Sequence, residues 1–305
     1  MDGILAVWKP AGWTSHDVVA KVRRILRTKR IGHAGTLDPQ VTGVLPLCIG
    51  RATRVVEYVQ ERPKAYEAVL QFGIATDTED LSGTVISEAK DVQLSEADIR
   101  RVLVSFIGEI DQIPPMYSAV QVGGKRLYEL AREGQVIERQ SRKVKIYELD
   151  LLELSLAKQQ PTIRFAVQCS KGTYIRTLCV DIGHALNVPA VMAELKRTMS
   201  GGFTEEQCLT LEEIEQLQAS GDLEARLLPA DSALEHLARG TVSRETAQHA
   251  FQGKRIPSQS LKDLTVSEKK DELIRLYRED GLFIGLFERE ADSELLKAVK
   301  VFTPV

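Results

Sequence analysis

The sequence predicts an α+β fold: a mixed, largely antiparallel sheet flanked by helices, followed by a small, mostly β module. Three observations carry this. Strand-like alternation occupies residues 66–74 and 162–169. Amphipathic helical stretches stand as isolated elements rather than in repeating βαβ units. The composition shifts near 236–242, and strand-like runs follow. With 305 residues, 43% hydrophobic and 27% charged, the chain can bury a substantial core in one large domain plus a smaller one.

Each element has its own local cause. Met1 to Trp8 has a short apolar run without a cationic lead-in, so it reads as a first buried strand and not as a signal peptide. Residues 15–27 place Val18, Val22 and Ile25 on one stripe, with Ser15 as cap and Lys21, Arg23, Arg24 and Arg27 on the other faces. Tyr66, Ala68, Leu70, Phe72 and Ile74 alternate as a strand, and the acidic stretch 76–83 turns the chain. Ser95 and Asp98 form a capping-box pattern before Ile99, Val102, Leu103 and Phe106 at helical spacing. Thr162 to Cys169 alternates again, and Tyr174 to Leu186 carries Ile175, Leu178, Cys179 and Ile182 on one stripe. Thr210 and Glu213 cap a further helix. A short helix then starts at Ser243, and strand-like runs cover 282–287 and 295–302.

Composition excludes several functional classes. No apolar run is long enough to span a membrane. Cys48, Cys169, Cys179 and Cys208 form no CxxC pair and have no histidine at ligand spacing, so no metal site is expected and the thiols suit a reducing cytosol. The net charge of −3 hides a segregation. Residues 1–60 carry nine Lys/Arg against four acids, residues 121–146 seven against three, and residues 205–235 one against nine. A basic face binds phosphate even when the average charge is slightly negative.

One loop stands out chemically. Gly32-His33-Ala34-Gly35-Thr36-Leu37-Asp38-Pro39 sets a single carboxylate among glycines and prolines, with Arg51 and Arg54 shortly after. Pro39 biases Asp38 away from helix and onto a fixed turn, where a carboxylate can serve as nucleophile or base. Asp before Pro is in most proteins only a turn former, so spacing alone assigns it no chemistry.

The longer run through Thr42-Gly43, Leu45-Pro46 and Gly50-Arg51-Ala52-Thr53-Arg54 resembles the catalytic motif of the bacterial TruB-type tRNA pseudouridine synthases. Further matches are Lys64-Ala65-Tyr66, Ser170-Lys171-Gly172-Thr173-Tyr174-Ile175-Arg176, Leu195-Lys196-Arg197 and Lys9-Pro10 with Gly12, Thr14 and Ser15. Pro114-Pro115, Ser118-Ala119 and Gly124-Lys125-Arg126 also fit, while Trp8 departs from the family pattern. The likeness spans residues 3 to about 235 and is looser beyond.

The resemblance implies a pseudouridine synthase fold over 1–238, an RNA-gripping insertion at 110–146, and a PUA-like RNA-binding domain at 239–305. It implies conversion of the T-loop uridine at tRNA position 55, with the base flipped out of the stack and neither metal nor cofactor. Asp38 would be the essential carboxylate, by attack on the sugar, addition to the ring, or steering of proton loss from C2′. Tyr66 would stack on the uracil, and Arg176 would orient Asp38. His33 would enter the T-loop, and Leu195 would pack on the base. Lys9, Lys64, Arg197, Lys125 and Arg126 would bind substrate, the cations of the Leu195-Lys196-Arg197 segment by meeting phosphate. The expected partner is the tRNA T-stem-loop, bound by a monomer in the cytoplasm without membrane or guide RNA. Two other readings are an RNA-folding protein, for which isomerisation is secondary, and a guide-dependent synthase.

Overall fold

The computed structural model describes residues 1–135, 137–157, 160–264, 273–290 and 293–304. Its first half runs β1 (Gly3–Lys9), α1 (Ser15–Leu26), β2 (Ile31–His33), β3 (Thr42–Ile49), α2 (Val56–Glu61), β4 (Lys64–Phe72), β5 (Ile74–Thr76), β6 (Val85–Glu88), α3 (Glu96–Ser105), β7 (Gly108–Gln112), β8 (Gln121–Val122), β9 (Lys125–Arg126) and α4 (Leu127–Arg132). There follow β10 (Arg142–Ser155), β11 (Thr162–Cys169), α5 (Ile175–Ala185), β12 (Ala190–Ser200), β13 (Phe203–Thr204) and α6 (Leu211–Ser220). The last part holds β14 (Ala238–Val242), α7 (Arg244–Phe251), β15 (Ile256–Pro257), β16 (Leu273–Arg278), β17 (Phe283–Arg289) and β18 (Leu295–Val301).

Among the described residues nine strands make the main sheet, in the order β1-β3-β12-β4-β11-β10-β7, with β2 beside β3 and β13 beside β12. Every pairing in it is antiparallel except β12 with β3, where Arg197 lies opposite Gly43. The α+β expectation holds. Alternation along β11 buries Ile163, Phe165, Val167 and Cys169 against α3 and α5. On the β1–β3 side, α1 and α6 share a second core with Leu5, Leu45 and Leu47.

The second sheet, β14-β16-β17-β18-β15, closes over α7. Its Leu286 and Phe283 pack against Ile4, Val55 and Val59 of the first part. Arg51 donates to the Thr303 carbonyl, Arg54 donates to the Val301 carbonyl, and Lys300 pairs with Glu57 at 2.9 Å.

Two local expectations shift. Thr14, not Ser15, caps α1, in a reciprocal box with Asp17, because the Ser15 hydroxyl is committed elsewhere. The strand expected over 66–74 starts at Lys64 and ends at Phe72, since Gly73 takes φ +96° and bends the chain.

Candidate active site

The loop bearing Asp38 leaves β2 at His33 and enters β3 at Thr42, and it is pinned on both sides of the carboxylate. The Leu37 amide donates to the Ser15 hydroxyl at 2.9 Å. The Pro39 carbonyl accepts from Lys9 Nζ at 3.0 Å and from the Gly12 amide at 2.9 Å. Beneath the loop, the buried Arg197 guanidinium donates to the carbonyls of Val44 (2.8 Å), Gly35 (3.2 Å) and Thr36 (3.3 Å). Gly43 makes this approach possible: at φ +121°, a Cβ there would lie 2.2 Å from the Arg197 carbonyl oxygen.

Arg176 rises from the first turn of α5, where the apolar stripe of that helix seats it against the sheet. Its Nη2 lies 3.1 Å from Asp38 Oδ2. The same guanidinium donates to the carbonyls of Thr78 (3.0 Å) and Tyr117 (2.8 Å). One arginine thus joins the Asp38 loop, the 76–83 turn and the 110–146 segment. Asp38 opens onto a cleft of about 780 Å³ lined by Val41, Val69, Leu81, Met192 and Leu195 together with Glu67, Asp80 and Arg164. Apolar side chains share the lining with polar ones, and the acids Asp38, Glu67, Asp80 and Glu194 outnumber the bases Arg164 and Lys196, which suits a neutral flat base with some polar edges more than a highly anionic metabolite. Tyr66 on β4 is buried in the same cluster as Leu37, Val41 and Ile175, and burial pushes its phenol above the ordinary range.

The structure therefore brings Asp38, Arg176 and Leu195 to one place, whereas Tyr66, 7% exposed, lies in the adjoining core cluster and does not line the cleft. His33 stands at the start of the same loop, its ring edge-on to His16 at 5.4 Å between centroids. Burial, then the neighbouring His16 and Arg197, lowers its pKa. Lys125 and Arg126 are exposed on β9, the first paired with Glu133 at 3.1 Å, the second bonded to the Tyr128 hydroxyl at 3.1 Å.

Three residues expected to bind substrate, Arg197 among them through phosphate, need correction. Lys9, Lys64 and Arg197 are 0%, 7% and 1% exposed, which leaves them no surface to present to phosphate. Lys9 Nζ also binds the Trp13 carbonyl at 2.6 Å, and Lys64 Nζ binds the carbonyls of Gln60 (2.8 Å) and Arg62 (3.1 Å). Burial draws both ammonium groups down to about 8. All three cations brace backbone.

Sequence reasoning missed Ser15, Thr78 and Tyr117 as parts of the site. Ser15 was within reach, because it sits in the matched Lys9–Ser15 segment. The Thr78 and Tyr117 contacts use backbone carbonyls, which leave no residue-type signal. Among the described residues no three His, Cys, Asp or Glu side chains converge into a metal-binding group.

Comparison with known proteins shows the family. The family model described as "TruB family pseudouridylate synthase (N terminal domain)" matches residues 23–175, and "tRNA pseudouridylate synthase B C-terminal domain" matches 176–235. Their border falls inside α5, so the two matched segments build one sheet. Fold and site together define a pseudouridylate synthase. Curated relatives named tRNA pseudouridine synthase B include one from Bacillus pumilus, 42% identical over 99% of this chain and 98% of its own. Another, from Geobacillus thermodenitrificans, is 49% identical over 83% of this chain and 85% of its own. A chain of the Cbf5-Nop10-Gar1 complex superposes with a TM-score of 0.79 at 29% identity, covering 99% of this chain and 85% of that one. The chain belongs to the TruB family.

Proposed function

We propose that this protein is a stand-alone tRNA pseudouridine synthase that converts the T-loop uridine at position 55. The reaction breaks the N1–C1′ bond, turns the uracil, and joins C1′ to C5. The C5 proton is lost and N1 gains one, so the product is an isomer and no other reactant is consumed. The observation that carries this reading is the Asp38–Arg176 pair, whose carboxylate lines the cleft, in a chain whose relatives, matched over nearly their whole length, bear that enzyme's name.

In this reading the uridine leaves the RNA stack, at a cost of a few kcal/mol, and enters the cleft beside Asp38. Leu195 packs on the uracil, Tyr66 supports the site from the core beside it, and Arg176 keeps the carboxylate aimed at the sugar and base. His33 fills the vacated stack. Residues 1–238 act as the catalytic unit, 110–146 grips the RNA through Lys125 and Arg126, and 239–305 serves as a PUA-like RNA-binding module. Residue 136 of the gripping segment lies outside the described residues. The enzyme works as a cytoplasmic monomer without guide RNA.

The test is a pseudouridine-mapping assay on an unmodified tRNA transcript with purified protein alone. Pseudouridine at position 55, absent with Asp38→Ala, is the expected result. No product, or product at another uridine, refutes the assignment.

A further inference from the structure

Nine Lys/Arg side chains lie in the first 60 residues, and the fold itself engages five of them. Lys9 is buried, Lys21 pairs with Glu215, Arg23 binds the Ile31 carbonyl, and Arg51 and Arg54 hold the carbonyls near the C-terminus. Arg24, Arg27, Lys29 and Arg30 remain exposed. Among the described residues none of these four pairs with a carboxylate; Arg30 Nε donates to the Thr53 hydroxyl at 3.1 Å. An arginine in the last turn of α1 is explained by the helix dipole. That effect fades within a turn, and Arg27, Lys29 and Arg30 lie past the helix end; with Arg24 they put four like charges within seven residues, which only repel one another.

The placement of this patch is set by the α1–β2 unit. At one end of the unit Ser15 holds Leu37 and His16 touches His33, so that end abuts Asp38. At 1.5 Å per helical residue, Arg24 and Arg27 stand roughly 12 and 16 Å from His16. Lys29 and Arg30 lie in the turn that joins α1 to β2, where the Ile31 amide donates to the Lys29 carbonyl at 3.1 Å. A nucleic-acid duplex carries one phosphate per strand for about 3.4 Å of axis. The patch therefore meets backbone four to five nucleotides away from a uridine held at Asp38. Helix α6, which packs against α1 and carries Glu212, Glu213 and Glu215, borders the patch with negative charge and confines an RNA to its other side.

We propose that Arg24, Arg27, Lys29 and Arg30 form a binding surface for the phosphate backbone of the RNA stem that adjoins the target uridine. This rests on the proposed function and extends it from the flipped base to the stem. Binding at this surface is independent of sequence and sets affinity, not the rate of the chemical step.

The test uses the full chain and a triple variant, Arg24→Gln, Arg27→Asn and Lys29→Gln. Asparagine is chosen at 27 because that residue has φ +50°. Two RNAs share one T-loop, on a stem of either five or three base pairs. With the longer stem, the triple variant should bind about tenfold more weakly in moderate salt. Its log–log salt slope should fall by two to three, at about 0.9 per lost contact. The single-turnover rate at saturation should not change, and with the shorter stem variant and wild type should bind alike. Lys29→Gln alone, beyond the helix, should lower the slope by about one and guards against a folding defect in the triple variant. An unchanged slope with the longer stem, or an equal loss with both stems, overturns the proposal. Failure of wild type to form pseudouridine in either RNA would instead refute the function, since the stem-dependent binding difference is read separately.

Discussion

Arg176 Nη2 sits 3.1 Å from Asp38 Oδ2, yet the arginine side chain is 6% exposed and the carboxylate 47%. The pair is a fixed cation facing an open anion. Two backbone carbonyls hold the guanidinium, so it cannot follow Asp38 if the loop moves. The carboxylate keeps one side toward the cleft, where a substrate can reach it. An ion pair that served only stability would have no need of this asymmetry.

Removing the carboxylate should abolish turnover while sparing binding. Asp38→Asn is expected to lower single-turnover pseudouridine formation by at least about a thousandfold, within the range for a positioned acid–base or nucleophilic group. Its affinity for tRNA should stay within a few-fold of wild type. Rapid-quench assays beside filter binding check both, and near-normal turnover would remove Asp38 from the chemistry.

Arg176→Lys should lower kcat by roughly ten- to a hundredfold with little change in KM. A lysine carries the charge but cannot span Asp38, Thr78 and Tyr117 with a planar fork. Steady-state kinetics on a tRNA transcript measure the split; a rise confined to KM would assign Arg176 to RNA binding.

Arg197 answers to stability as well as activity. Arg197→Met strands the carbonyls of Gly35, Thr36 and Val44, and each unsatisfied buried acceptor costs about 1–3 kcal/mol. Urea unfolding should show a loss of at least about 3 kcal/mol, with Arg197→Lys falling between the two. A loss under about 1 kcal/mol would mean that the loop is held by other contacts.

Lys9 predicts a specific pH dependence. Burial lowers its ammonium from the ordinary value of 10.5 to about 8 in the fold. Between those values the unfolded chain binds more protons than the folded one, so this group makes stability rise with pH. Below pH 8 the cost of the buried charge is fully present. Above 10.5 it is gone. The buried thiols, such as Cys169 at about 11, act in the opposite sense, so the comparison must be with Lys9→Met. The stability of wild type minus that of this variant should rise from pH 8 to 10.5; a constant difference would show that the lysine does not titrate there.

Much of the fold was legible because its causes are local. Ser95 and Thr210 cap their helices as their spacing requires, and the alternation of 162–169 reappears residue for residue as β11. The long strands β10 and β12 were harder to see. Each carries register shifts, and their mixed polar and apolar order reflects two different neighbours and not one buried face.

For the candidate site, the sequence by itself singled out the Asp38 loop and the kinds of residue expected beside it. Asp38, Tyr66 and Arg176 lie in separate segments whose residue types and order mark the family, and the Gly/Pro chemistry of the loop is local. Only the tertiary structure decided which cations are buried against backbone and which stay at the surface. Lys9, Lys64 and Arg197 look in the sequence like the exposed cations of 24–30, because charge is a property of the residue. Whether that charge meets water, phosphate or a backbone carbonyl depends on burial, and burial is set by strands far apart in the chain, as where β12 lays Arg197 across from Gly43.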